Sequence, residues 1–148
     1  MQVITTRLEA EEAKIIYQET AGLAIITINR PQAKNALTAN MWDELKRIAL
    51  LTLENPKNKV LLIRGAGENF TAGSDIKEFN SISLKDAEEA FIHMENTIST
   101  IENLPIPVIG VINGPAMGAG LELALACDIR IGSNNARLGI PVGKLGIT

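Results

Sequence analysis

Cysteine and histidine are nearly absent from this 148-residue chain: Cys127 and His93 are the only ones. A single cysteine excludes an intramolecular disulfide and leaves no basis for a cysteine-built metal site. A single histidine removes His-cluster metal sites and makes any Ser–His–Asp triad depend on one residue. No metal is therefore expected. Aromatic residues make up only 3 % of the chain. No basic run occurs, and 14 basic against 17 acidic residues give a net charge of −3. That balance offers no electrostatic footprint for nucleic acid. Long apolar runs are missing too. The longest apolar-rich stretch, 106–126, is broken by Pro107, Asn113, Pro115 and Glu122, too interrupted to span a bilayer. Residues 1–14 carry Arg7, Glu9, Glu11 and Glu12 and do not read as a signal peptide. A cytoplasmic protein without a membrane partner is expected.

What is present points to one α/β domain. Apolar residues make up 46 % and charged residues 21 %, ordinary globular usage. Residues 14–19 and 23–29 are rich in β-branched side chains around Thr20-Ala21-Gly22, which predicts a hairpin. Thr38 is placed to cap a helix running to about Leu53, with Met41, Leu45, Ile48 and Thr52 on one side. Val60 to Ile63 is a short continuous apolar run, as a strand covered on both faces would show. A loop is expected from Asn69 to Phe79. Leu84, Ala87, Phe91, Met94, Ile98 and Ile101 then step by three and four, one face of a helix that Pro105 and Pro107 close. A strand at 108–112, a Gly/Ala-rich helix at about 118–127 and a strand at 128–132 follow. This alternation predicts largely parallel pairing. Residues 1–14 read as an N-terminal extension to a core over 15–148. The final Leu145-Gly146-Ile147-Thr148 has no helix stop and reads like the middle of a domain.

Two loop-to-helix junctions carry candidate chemistry. One is Phe70 to Glu78, the other Asn113 to Glu122, and each follows an apolar strand. Both concentrate small residues where backbone can approach a ligand closely. Exposed backbone N–H groups at such turns bind negative oxygen, and two converging on one oxygen make an oxyanion hole. The plainer reading is a pair of ordinary turns with helix-packing glycines. Glu122 lies among Gly118, Ala119, Gly120, Leu121, Leu123 and Ala124, surroundings that make a carboxylate expensive to bury and fit it to acid–base work. Alternatively it sits on the helix's one wet edge, or pairs with Arg130 or Arg137. Other motifs fail. Gly118-Ala119-Gly120 lacks the third small residue of a dinucleotide loop, and no Gly-Lys-Ser/Thr phosphate loop occurs. Ser74 is outside any Gly-x-Ser-x-Gly elbow. His93 falls on a solvated helix flank, and Cys127 reads as a packed small hydrophobe.

Together the junctions resemble the crotonase family, the enoyl-CoA hydratase/isomerase superfamily. Arg30-Pro31 with Asn35-Ala36-Leu37 looks like its first loop. Phe70 to Glu78 looks like its oxyanion and CoA-binding segment, and Asn113-Gly114 through Glu122, then Cys127-Asp128-Ile129, like its second. The resemblance implies a spiral of β-β-α turns with the C-terminal helical part missing. It implies an acyl-CoA thioester substrate, no separate cofactor since CoA is part of that substrate, a place in fatty acid metabolism and trimer-based homo-oligomers. By position, the backbone N–H groups of Ser74 and Ala119 would hold the thioester oxygen, so the Ser74 side chain is expected to be dispensable. Ala33 and Lys34 would meet the CoA adenine, and Ser74, Asp75, Ile76 and Lys77 the pantetheine path. Glu122 matches the first of two catalytic glutamates. The second should follow Pro141, where Val142 stands. The expected activity is stabilisation of a thioester enolate, with enoyl-CoA hydration the leading reaction. Enoyl-CoA isomerisation, acyl-CoA decarboxylation, or a non-catalytic acyl-CoA-binding or assembly protein of the same fold are the alternatives. Val142 is expected to share a cavity with Glu122.

Overall fold

The computed structural model describes residues 2–3 and 14–145. Most of the N-terminal extension and the last three residues of the unusual C-terminal sequence lie outside the described residues. Among the described residues the strands and α-helices run in the order β1 (Gln2–Val3), β2 (Ile15–Thr20), β3 (Leu23–Ile28), α1 (Ala39–Leu51), β4 (Val60–Gly65), α2 (Ile76–Ser81), α3 (Leu84–Glu102), β5 (Val108–Ile112), β6 (Pro115–Met117) and α4 (Ala119–Ala126), followed by three more. The last three are β7 (Ile129–Gly132), β8 (Arg137–Gly139) and α5 (Val142–Leu145). No helix among the described residues is long and apolar enough to cross a membrane.

The hairpin forms as expected. β2 and β3 pair antiparallel from Ile15 opposite Ile28 to Thr20 opposite Leu23. Ala21 and Gly22 both take positive φ (47° and 87°), as a tight turn compatible with strand twist requires. From β3 onward pairing is parallel. The main sheet runs β1-β2-β3-β4-β5-β7, and β6 and β8 form a separate parallel pair. Ile26, Ile28, Leu61, Ile63, Val108 and Ile112 point to the helix-covered face and are buried. Ile25, Leu62 and Ile109 lie in register on the other face and are only half-buried, and Arg64 there is exposed. The apolar run at β4 therefore sits in a sheet packed fully on one face, not on both.

The side chain of Thr38 caps α1 by accepting the Met41 N–H. Met41, Leu45, Ile48 and Thr52 are buried, as the spacing predicts, and Trp42, outside that stripe, is buried with them. The stripe on α3 behaves differently at its two ends. Met94 and Ile101 pack into the core with Ala90 and Thr97, whereas Leu84 is 79 % and Phe91 49 % exposed. Only the C-terminal half of α3 lies over α1, so the regular periodicity outruns the surface available to cover it. The expected loop from Asn69 to Phe79 ends early. Asp75 caps α2 by accepting from the Lys77 and Glu78 N–H groups. Strands β6 and β8 are additions: each has three residues, too short to register as a pattern of its own.

Candidate active site

Three loops meet around one buried asparagine. Asn35, fully buried and at φ 57°, donates through Nδ2 to the carbonyls of Ala66, Asn69 and Phe70 at 2.9, 2.8 and 3.3 Å. Its Oδ1 accepts the Arg30 N–H at 2.9 Å. Asn113 works the same way from the next strand, accepting from Gly65 N and donating to Gly67 O. The Thr71 hydroxyl donates to Asn35 O at 2.6 Å and accepts the Gly73 N–H at 3.0 Å. Residues 30–37, 65–75 and 113–120 are thus held as one block by side-chain amides and a hydroxyl. Asn35 was visible in sequence only as part of a family motif, since nothing in a lone asparagine announces that it will bond three carbonyls.

Inside that block the two glycine-rich junctions abut. A Cβ added to Gly73, whose φ is +90°, would lie 2.7 Å from Met117 O, 3.0 Å from Ala119 N and 3.2 Å from Gly120 N. A Cβ on Gly120 would lie 2.3 Å from Thr71 O. Only hydrogen fits at either position, and that absence of side chains is what lets the segment 73–74 rest against the first turn of α4. Ala119 is the first residue of α4, so its N–H is one of the helix's orphan donors. Neither the Ser74 nor the Ala119 N–H finds an acceptor among the described residues. Two free amides, one from each junction, therefore lie on adjoining backbone.

The Ser74 side chain is engaged as well. Its Oγ accepts from the buried Trp42 Nε1 at 3.1 Å.

Beside this point opens a groove of about 460 Å³. It gathers Ala33, Lys34, Ser74, Asp75, Ile76 and Lys77, the residues expected to meet the CoA adenine and pantetheine, while Ala119, expected at the thioester, is not part of its lining. Asp75 is committed elsewhere. It pairs with Arg30 at 2.6 Å while capping α2. The Arg30 guanidinium, with the Glu78 and Lys77 backbone N–H groups, holds its carboxyl below the usual aspartate range despite burial. Lys34 and Lys77 make no ion pair among the described residues. The groove therefore keeps two unneutralised cations.

Glu122 lies three residues beyond Ala119, one turn along α4 and on the same side. The expected apolar burial does not occur: Gly120, Leu123 and Ala124 turn into the core, while Glu122 and Leu125 face outward and are exposed. Pairing with Arg130 or Arg137 does not occur either. Arg130 donates instead to the carbonyls of Ala124 and Cys127. Of the two open readings, the wet edge is the one observed, and the eight-residue helix, apolar at every other position, has that edge because nothing described covers it. Val142 begins α5 and is 44 % exposed, so it closes no dry cavity over Glu122. Its segment is nonetheless tied to α4, since the Gly118 N–H donates to Gly139 O at 2.8 Å.

His93 and Cys127 stand apart from the site. The His93 Nδ1 lies 2.7 Å from Asp43 Oδ1 on a half-exposed flank. Cys127 is buried, and burial pushes its thiol up to about 12.

The comparisons with known proteins agree with this architecture. A crotonyl-CoA hydratase from Syntrophomonas wolfei is 38 % identical over 135 residues, covering 90 % of this chain and 52 % of the relative. A short-chain enoyl-CoA hydratase from Clostridium acetobutylicum is 38 % identical over 136 residues, with the same coverages. The crystal structure of an enoyl-CoA hydratase from Bacillus anthracis superposes with a TM-score of 0.86 at 36 % identity, covering 91 % of this chain and 53 % of that one. The chain thus spans about half the length of the relatives it matches. The enoyl-CoA hydratase/isomerase family profile matches residues 18–148, essentially the whole of the described core, and the chain belongs to that family.

Proposed function

We propose that this chain binds an acyl-CoA thioester and stabilises its enolate, with hydration of an enoyl-CoA as the leading reaction. The carrying observation is the pair of unbonded backbone amides, Ser74 and Ala119, on abutting junctions beside a groove with two free lysines. The groove suits the anionic, extended CoA moiety: Lys34 and Lys77 face its phosphates, while Ala33, Ala36 and Ala72 leave room for its neutral parts. The thioester oxygen is then delivered to the two N–H groups.

In hydration, water oxygen bonds to the β-carbon and the β–α π electrons move onto the α-carbon and thioester oxygen. The two amides hold the resulting enolate charge. Such donors are already oriented before charge develops, so each contributes about 3–4 kcal/mol to the transition state. Glu122 takes the proton from water and returns one to the α-carbon, so the balance is one water added and no net proton gained. With Val142 at the second carboxylate position, the attacking water has a single acid–base partner. Slow hydration follows, and isomerisation or decarboxylation through the same enolate are the alternatives. Trimer-based assembly is part of the reading. The apolar side chains of Ile129, Ile131, Leu138 and Ile140, all exposed, support it.

A second reading has a specific observation behind it. Glu122 exposed and Val142 in place of an acid fit an acyl-CoA-binding protein without turnover. Crotonyl-CoA turnover by the chain and by Glu122→Gln separates the two. The catalytic reading expects measurable turnover that falls about 100-fold or more in Glu122→Gln, with crotonyl-CoA affinity nearly unchanged. Binding without turnover in both proteins leaves the binding role alone. Equal turnover in both removes Glu122 from the mechanism.

A further inference from the structure

The candidate oxyanion donor Ser74 is held from two directions. A peptide unit is planar, with its C=O and N–H pointing opposite ways. The Gly73 carbonyl accepts the Leu37 N–H at 2.8 Å, so the Ser74 N–H of the same unit is aimed away from Leu37. The Leu37 carbonyl in turn accepts the Asp75 N–H at 2.9 Å, so a bridge to Leu37 brackets Ser74, yet neither bond engages the Ser74 N–H itself, and Gly73, at φ +90°, lets that unit tilt between them. The second hold comes from the side chain. Trp42 Nε1 donates to Ser74 Oγ at 3.1 Å, and the hydroxyl lies 3.4 Å from Met94 Sδ, to which it donates.

Trp42 is itself fixed. It is 1 % exposed in the α1–α3 interface. Its own N–H donates to Thr38 O, and its carbonyl accepts from the buried Thr97 hydroxyl at 2.8 Å. The indole is therefore a rigid rod from the packed helices to the loop, with its one polar atom ending on Ser74. An N–H donor buried this deeply needs an acceptor, and Ser74 is the one it has.

We infer that Trp42 is a positioning residue: through Ser74 Oγ it fixes the direction of the Ser74 N–H toward the thioester oxygen. Trp42 does not touch substrate. The inference rests on the oxyanion reading above and adds that the serine side chain is the handle by which two helices set the geometry of that amide.

The test uses Trp42→Phe, which removes the N–H and keeps a ring, Ser74→Ala, which removes the acceptor and keeps the indole, and the double variant. Each is loaded with butyryl-CoA carrying carbon-13 at the thioester carbonyl. The carbonyl stretching frequency is read by infrared difference spectroscopy beside kcat, KM and Tm for crotonyl-CoA. In the unaltered chain the stretch lies below its value in solution, because two N–H donors polarise the carbonyl. Each single variant moves it back toward the solution value and lowers kcat by about 10-fold, with KM within about twofold. The double variant goes no further than either single one, since both break the same link. Ser74→Ala carries the result if Trp42→Phe does not fold. Single variants that lower Tm but keep the wild-type frequency overturn the inference and leave the oxyanion reading standing. Bound butyryl-CoA with no shift in the unaltered chain, or no binding at all, overturns the oxyanion reading and this inference with it.

Discussion

Replacing Gly73 with alanine tests the junction on which the site depends. Two separate effects act there. A φ of +90° is outside the range that L-residues adopt readily, a strain of about 1–3 kcal/mol. The new methyl group would also sit 2.7 Å from Met117 O and 3.0 Å from Ala119 N, both backbone atoms. Relieving that contact displaces one junction from the other, an overpacking cost of about 1–3 kcal/mol. The sum is about 2–6 kcal/mol. At about 3 °C per kcal/mol for a domain of this size, Tm falls by about 6–18 °C. Two other glycines separate the contributions. Gly118 has φ +56° with nothing within 4 Å of an added Cβ, so Gly118→Ala carries strain alone. Gly143 lies in helix α5 with open space around it and no positive φ, so Gly143→Ala is neutral or stabilises by up to about 1 kcal/mol. Thermal melts of the three variants should rank Gly73 lowest and Gly143 highest. Isothermal titration with butyryl-CoA should show weakened binding in Gly73→Ala beyond the other two. A Gly73→Ala protein with wild-type Tm and unchanged butyryl-CoA affinity would refute the claim that the junctions touch.

Two further outcomes follow from the supporting groups. Asn35→Ala takes the Nδ2 donor from the Ala66 and Phe70 carbonyls and leaves the Asn69 carbonyl only its 3.3 Å bond from Asn113, and denaturant unfolding should show a loss of about 2–3 kcal/mol. The depressed carboxyl of Asp75 contributes stability that is present above its ordinary value of 3.8 and lost as pH falls through its lower folded value. Urea unfolding should therefore lose stability across that acid window in the unaltered chain and lose less of it in Asp75→Asn. Equal slopes in the two proteins would mean the Arg30 pair is not what holds the carboxyl charged.

The regular elements were legible where local chemistry decides them. Turn residues Ala21-Gly22 set the hairpin, the Thr38 cap set the start of α1, and Pro105 and Pro107 closed α3. The short helix α2 was also signalled, by Asp75 with Glu78 three residues on, but its position inside a glycine-rich loop masked the cap. The Glu78 carboxylate makes a different bond from the one that spacing suggests, accepting the Ala39 N–H at 2.8 Å and tying α2 to α1. What sequence could not show is set by tertiary cover. The apolar stripe of α3 and the apolar surroundings of Glu122 both predict burial, yet Phe91, Glu122 and Leu125 are exposed because no described element reaches them. Neighbours along a helix report composition, whereas burial depends on what packs across from it. The groove residues Ala33, Lys34 and Ser74 to Lys77 came from family resemblance, and the fold brings them to one place. The link from Trp42 to Ser74 joins residues 32 positions apart and has no sequence signature.

A structure of the chain with a bound, unreactive acyl-CoA thioether or saturated thioester tests the central claim most directly. The acyl oxygen, or the atom standing for it, is expected within about 3 Å of both the Ser74 and Ala119 nitrogens. The CoA phosphates lie beside Lys34 and Lys77, and the Glu122 carboxylate faces the α- and β-carbons. An acyl-CoA seated elsewhere, or an acyl oxygen reached by neither amide, would contradict it.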